Sequence, residues 1–297
     1  MLTNIARFEF RYLLRNPLLW GTAAATFALF VFATVVEGFE LGSEGGLLEN
    51  AAYAMLKNYV MVSVMFMFVT TSFVAGVTLR DDETGFGPII RSTRITKFEY
   101  LFGRFLGAFA IAALCLLLVP LGTWLGSMMP WAARETLGPN RLIDHLYGYF
   151  LIALPNVFIH SAILFALATI TRSMMATYLG VLGFVSGFFF LKEALDRPRL
   201  ETAIAIAEPF GSRALSDATR YWTVAERNVA LPDFTGALLY NRLLWIGISI
   251  LFLALAYAVY RFADRGMSKR ERKKQKLARR ASTTEASGPA VSMSLPN

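Results

Sequence analysis

The chain has 297 residues, of which 56% are hydrophobic and only 17% charged, and its mean hydropathy is +0.49. A water-soluble domain of this length needs more charge to cover its surface, so composition excludes an ordinary soluble fold and points to a membrane-embedded one. The single cysteine, Cys115, excludes a disulfide framework and a cysteine metal site, and the net charge of +8 is clustered rather than spread.

The first residues, Met1–Pro17, carry Arg7, Arg11 and Arg15 at four-residue spacing, with Ile5, Phe8, Tyr12 and Leu13 spread over the other face. This pattern predicts an amphipathic helix lying in the membrane interface, cations toward head groups and water. It serves either as an anchor that fixes topology or as a docking element for a cytoplasmic partner. No small-residue cleavage site follows cleanly, so a secretory signal is not expected. Asn16-Pro17 then turns the chain into an apolar run.

A hydrocarbon layer about 30 Å thick takes roughly 20 apolar residues per helix. Six stretches meet this: about Leu18–Val36, Tyr59–Leu79, Phe105–Met129, Tyr147–Ile170, Met174–Leu191 and Leu243–Tyr260. None contains Lys, Arg, Asp or Glu, each of which costs about 2.5–3.5 kcal/mol at a span centre. The expected fold is therefore all-α, with six transmembrane helices over residues 1–264 and a basic tail over 265–297. With the amino terminus inside, nineteen Lys and Arg fall on the cytoplasmic side and ten outside, seven of those in one long loop. Both ends are thus expected in the cytoplasm.

The connections differ in character. The first external one, Glu37–Asn58, is acidic and Gly-rich, and the internal segment Arg80–Arg104 is broken by Gly85, Gly87 and Pro88. Along the third span and the fifth, Gly103/Gly107, Gly122/Gly126 and Gly183/Gly187 form pairs that allow close helix approach. Asn156 and His160 share a face of the fourth helix, just after Pro155, which is expected to kink it, as intramembrane polar candidates for a substrate path or a proton-linked role. Ser186 lacks the leading Gly of an intramembrane protease turn. The external segment 192–241 has helix-compatible spacing at Arg199–Ala207 and Ser216–Asn228, with Ser216 or Asp217 as caps. The polybasic run Lys269–Lys276 is expected to attach to anionic membrane lipid, without nucleic acid as a partner; binding to a ribosome or another acidic partner is the sharper reading.

Two stretches carry a resemblance. The interfacial segment Arg7-Phe-Glu-Phe-Arg-Tyr-Leu-Leu-Arg-Asn-Pro17 and the internal segment running through Ser92-Thr-Arg-Ile-Thr-Lys-Phe-Glu-Tyr100 to Gly103-Arg104 resemble the type-2 (ABC-2) permeases of ATP-driven exporters. The run from Glu208-Pro-Phe-Gly211 to Asn241-Arg-Leu-Leu-Trp245 is similar to a subgroup whose membrane module is fused to an M1-type aminopeptidase. The resemblance covers roughly residues 1–264. It implies six helices per subunit, a homodimer or a related second permease subunit, and a separate cytoplasmic ABC ATPase subunit. It implies a coupling helix around Glu83–Ile90 and ATPase docking through Arg7, Arg11, Arg80, Asp82, Glu83 and Arg91. The expected setting is the bacterial inner membrane.

The chain has no Gly-x-x-x-x-Gly-Lys-Ser/Thr and no His-Glu-x-x-His, so neither nucleotide hydrolysis nor zinc peptidase chemistry is expected of it, and no cofactor or metal. The alternative expectation is a membrane scaffold or assembly factor that binds an external partner such as a peptidase.

Overall fold

The computed structural model describes residues 1–36, 45–84, 87, 90, 92–194 and 201–260. Among them the fold is all-helical, without a strand. Five helical stretches are long and apolar enough to cross a membrane: Pro17–Val35, Ala52–Val77, Lys97–Ser127, Leu142–Thr171 and Gly236–Val259. The chain is built as a multi-pass membrane protein. A further apolar helix covers Met174–Phe190.

Helix α1 (Leu2–Leu14) meets α2 (Pro17–Val35) at a sharp joint. The Asn16 side chain accepts from the Leu18 N–H at 2.9 Å and Pro17 takes the first helical position, where its missing N–H costs nothing. The Trp20 indole donates to the Leu14 carbonyl at 2.8 Å and fixes the angle between the two helices. Helix α3 (Ala52–Glu83) has 32 residues. At 1.5 Å per residue it is about 48 Å long, so one end projects well past a 30 Å hydrocarbon layer.

Thr96 and Glu99 form a reciprocal capping box that starts α4 (Lys97–Leu116). Helix α5 (Leu118–Ser127) continues it after a bend at Leu117, because Pro120 has no N–H to bond the Leu116 carbonyl. The next span starts as α6 (Leu142–Gly148), passes through a π turn at Tyr149–Ala153 and continues as α7 (Leu154–Thr171). Pro155 causes this too, since it cannot bond the Leu151 carbonyl. Helix α8 (Met174–Ala194) follows, then three short helices, α9 (Glu201–Ala207), α10 (Ser212–Ala218) and α11 (Val224–Val229), and the long α12 (Gly236–Val259).

Helices α3, α4 and α7 enclose the centre, where Met55, Tyr59, Met67, Phe73, Ile111, Leu116 and Ile152 are buried. Along the α4–α5 rod, glycines admit the amino-terminal pair. A Cβ on Gly103 or Gly107 would strike α1, and one on Gly122 or Gly126 would strike α2. At Gly183 and Gly187 it would meet open space. The α2 and α12 windows are only 22% buried, against 61% for the three central spans, so these two helices lie at the periphery.

Several expectations need correction. The second apolar helix starts at Ala52 rather than Tyr59, and the last starts at Gly236 rather than Leu243, which brings Asn241 and Arg242 into the helix. Neither Ser216 nor Asp217 caps a helix. Gly211, with φ +79°, opens α10, and Thr223 opens α11 through a second capping box with Glu226. That bonding holds the Glu226 carboxyl below its ordinary range. On α1, Phe8 and Tyr12 are exposed, while Glu9 and Leu13 are buried. Half of the expected coupling element over Glu83–Ile90 lies outside the described residues, as do the tail and the part of the Glu37–Asn58 connection before Gly45.

Candidate functional site

Four ionic side chains from three helices meet where α1 crosses the end of α3 and the beginning of α4. Glu9 of α1 is fully buried. Its carboxylate accepts two bonds from Arg80 of α3, Nη1 at 3.1 Å and Nη2 at 2.8 Å, and one from Arg104 Nη1 of α4 at 2.5 Å. The other arm of Arg104 donates to Asp81, which also accepts from the Tyr100 hydroxyl at 2.8 Å. The Arg80 guanidinium lies 4.0 Å from the centre of the Tyr12 ring, a cation–π contact that covers its remaining face.

Two acids and two guanidinium groups balance to zero net charge, as charges withdrawn from water must. The planar fork of Arg104 is what joins Glu9 to Asp81, since a point-like ammonium cannot hold two carboxylates in fixed geometry. The helix backbones come close enough because of Gly107: a Cβ there would lie 2.6 Å from the Ala6 carbonyl and 2.7 Å from the Glu9 Cβ. The result is an ion network that ties α1 to the end of α3 and the beginning of α4.

Beside this block lies a groove of about 640 Å³, with Ile5, Phe8, Tyr12, Ile90 and Ile95 on its walls and Arg80, Asp81 and Arg104 at its base. Arg7, Arg11 and Arg15 line an adjoining surface depression with Phe8 and Tyr12. All three of these arginines are exposed, and none pairs with a carboxylate among the described residues. The face they form is a cationic strip with aromatic rings between the charges, suited to an acidic protein surface or to lipid head groups.

A second polar cluster holds the short helices against the spans. Nδ2 of Asn241 donates to the carbonyls of Ala205, Ile206 and Glu208 at 3.0, 2.9 and 2.5 Å, and the Trp245 indole to that of Ala207 at 3.2 Å. These are the carbonyls that the end of α9 leaves without intrahelical partners. Glu208 accepts from the N–H groups of Phe210 and Arg213. Arg242, 1% exposed, donates through Nη1 to Asn156 Oδ1 at 2.6 Å, and Asn156 Nδ2 donates to the Phe210 carbonyl at 3.2 Å. Gly211 is required twice here, by its positive φ and because a Cβ would lie 1.8 Å from Arg242 Nη2.

The residues anticipated from sequence therefore separate. Arg7 and Arg11 are on the exposed strip. Arg80 bonds Glu9 as a member of the ion block and keeps part of its side chain exposed. Asp82 and Glu83 end α3, their side chains outside the described residues, and Arg91 is outside them altogether. Asn156 and His160 are both buried on α7 but serve different partners: His160 Nε2 lies 3.2 Å from the Thr70 hydroxyl of α3. Ser186 is exposed on α8, apart from this buried pair.

Sequence reasoning missed Glu9, Asp81 and Arg104 as one unit, and Arg242 as a buried cation. The available signal was that an acid at position 9 interrupts an otherwise cationic helix. Among the described residues no group of three or more His, Cys, Asp or Glu side chains is arranged to hold a metal ion. Neither a protein-family model nor a curated protein matches this chain.

Proposed function

We propose that the chain is the membrane-spanning permease subunit of an ABC-2-type exporter in a bacterial inner membrane, driven by ATP hydrolysis in a separate cytoplasmic subunit. Six spans follow if α8 crosses as well; its 21 residues extend about 31 Å at 1.5 Å per residue. Both ends then lie inside, as the Lys and Arg distribution favours. Two subunits, identical or related, would enclose the path.

The observation that carries this reading is the ion block Glu9–Arg80–Arg104–Asp81. An ATPase that closes on nucleotide does work on a membrane subunit only through a stiff element joined to the spans. An interfacial helix held by buried ion pairs to two spans is such an element, and its outward face presents Arg7 and Arg11.

The test is purification of the tagged chain from its native membranes. A P-loop ATPase is expected to co-purify with the wild-type protein and to be lost with the double reversal Arg7→Glu/Arg11→Glu, while that variant remains monodisperse in detergent. Absence of any ATPase from the wild-type preparation would overturn the reading.

A second reading, a membrane scaffold that binds an external partner, is favoured by the fixed cap α9–α11. The cap presents Tyr221, 90% exposed, beside Trp222. Co-purification of a peptidase without an ATPase would select it.

A further inference from the structure

At the end of α3 remote from the ion block, a second groove of about 520 Å³ opens between α3, α8 and α10. One face of α3 supplies Tyr53, Lys57, Val60, Met61, Val64 and Met65, spaced so that they form a single stripe along the helix. Phe188 and Phe189 of α8 and Ser212, Arg213 and Ser216 of α10 complete the lining. The groove thus combines two cations and two serine hydroxyls with apolar side chains, and on α3 the apolar residues Val60 to Met65 follow Lys57 along the helix. Val60, Val64 and Phe188 are buried, whereas Met61, Met65 and Phe189 are more than half exposed.

Lys57 is the informative residue. It belongs to the apolar stretch Ala52–Val77, where a cation is costly unless something opposes it. Lys57 pairs with no carboxylate among the described residues, and its one recorded contact is the Tyr53 ring, 5.9 Å from Nζ. A long flexible stem lets the ammonium reach the membrane surface while its methylenes stay on the apolar wall. The size of the groove is that of a small-molecule site, mostly apolar with a few convergent polar groups. Its two methionines adapt to a flexible chain.

We infer that this groove binds one acyl chain of an anionic glycerophospholipid from the surrounding bilayer, with the phosphate against Lys57 beside Arg213. Charge complementarity selects an acidic head group, and the apolar stripe that leads away from Lys57 along α3 sets its direction, tail toward Met65. The inference requires only that the chain is embedded in a membrane, so it stands or falls separately from the permease reading.

The experiment uses the full chain in nanodiscs doped with trace phosphatidylglycerol or phosphatidylcholine, each carrying a photoactivatable acyl chain, followed by peptide mapping. Phosphatidylglycerol should label the peptides that contain Met61–Met65 and Phe188–Phe189 in preference to phosphatidylcholine. Lys57→Gln should lower that labelling about fivefold, the effect of one cation near anionic lipid, and Lys57→Arg should retain it. Met65→Trp, which fills the exposed part of the groove, should lower labelling with the charge intact. Equal labelling by the two lipids, or labelling spread evenly over the apolar spans, would overturn the inference.

Discussion

Removing the Glu9 carboxylate leaves the guanidinium groups of Arg80 and Arg104 with one buried acid between them. Breaking a buried pair from one side costs about 3–5 kcal/mol, because the remaining charge stays in a medium that solvates it poorly. Glu9→Ala is therefore expected to lower the unfolding temperature of the detergent-purified protein far more than Arg7→Ala, whose side chain is exposed. Equal melting of the two variants would contradict the ion block. Arg104→Lys belongs to the same argument: it keeps the charge but loses the fork, and about 1.5–3 kcal/mol is expected from the charged hydrogen bonds it forfeits. In the other cluster, Asn156→Leu leaves Arg242 without its recorded side-chain acceptor. The cap α9–α11 should then become more sensitive than wild type to limited proteolysis between residues 201 and 235.

Among the helices, three glycine pairs that look alike in sequence prove to do different things. Gly103/Gly107 receives α1 and Gly122/Gly126 receives α2, while a Cβ at Gly183 or Gly187 would meet no neighbour among the described residues. Gly107→Ala should cost about 1–3 kcal/mol through forced displacement of α1. Gly183→Ala should be neutral or gain up to about 1 kcal/mol from helix propensity. Thermal unfolding of the two variants side by side checks the sign of each. Local signals in this layer were legible from sequence: the Asn16-Pro17 joint and the break at Pro155 follow from backbone chemistry alone. The helix starts at Ala52 and Gly236 were not, because Asn58, Asn241 and Arg242 look like loop in a sequence: Asn58 proves to be buried, and the partners of Asn241 and Arg242 lie far away in the chain.

For the molecule as a whole, the apolar stretches were readable because a run of some 20 apolar residues is a local property of the chain. The sites were not, because their members are distant in sequence. Glu9 and Arg104 are separated by 95 positions, and Asn156 and Arg242 by 86. Nothing in a single sequence says which acid meets which arginine across such distances. The sequence marked Arg80 as a cation at a span end and marked Asn156 and His160 as intramembrane polar groups, without their partners. At this scale the permease reading also assigns sides. The ion block, the arginine strip and the 640 Å³ groove belong together at one membrane face, and the cap with Tyr221 belongs at the other.

Cysteine accessibility tests that assignment directly, since the one native thiol, Cys115, is buried and gives little background. In intact cells, a membrane-impermeant maleimide should modify Tyr221→Cys at once and Thr3→Cys only after the membrane is permeabilised. Modification of Thr3→Cys from outside, with Tyr221→Cys protected, would put the arginine strip on the wrong side of the membrane for any ATPase and contradict the account.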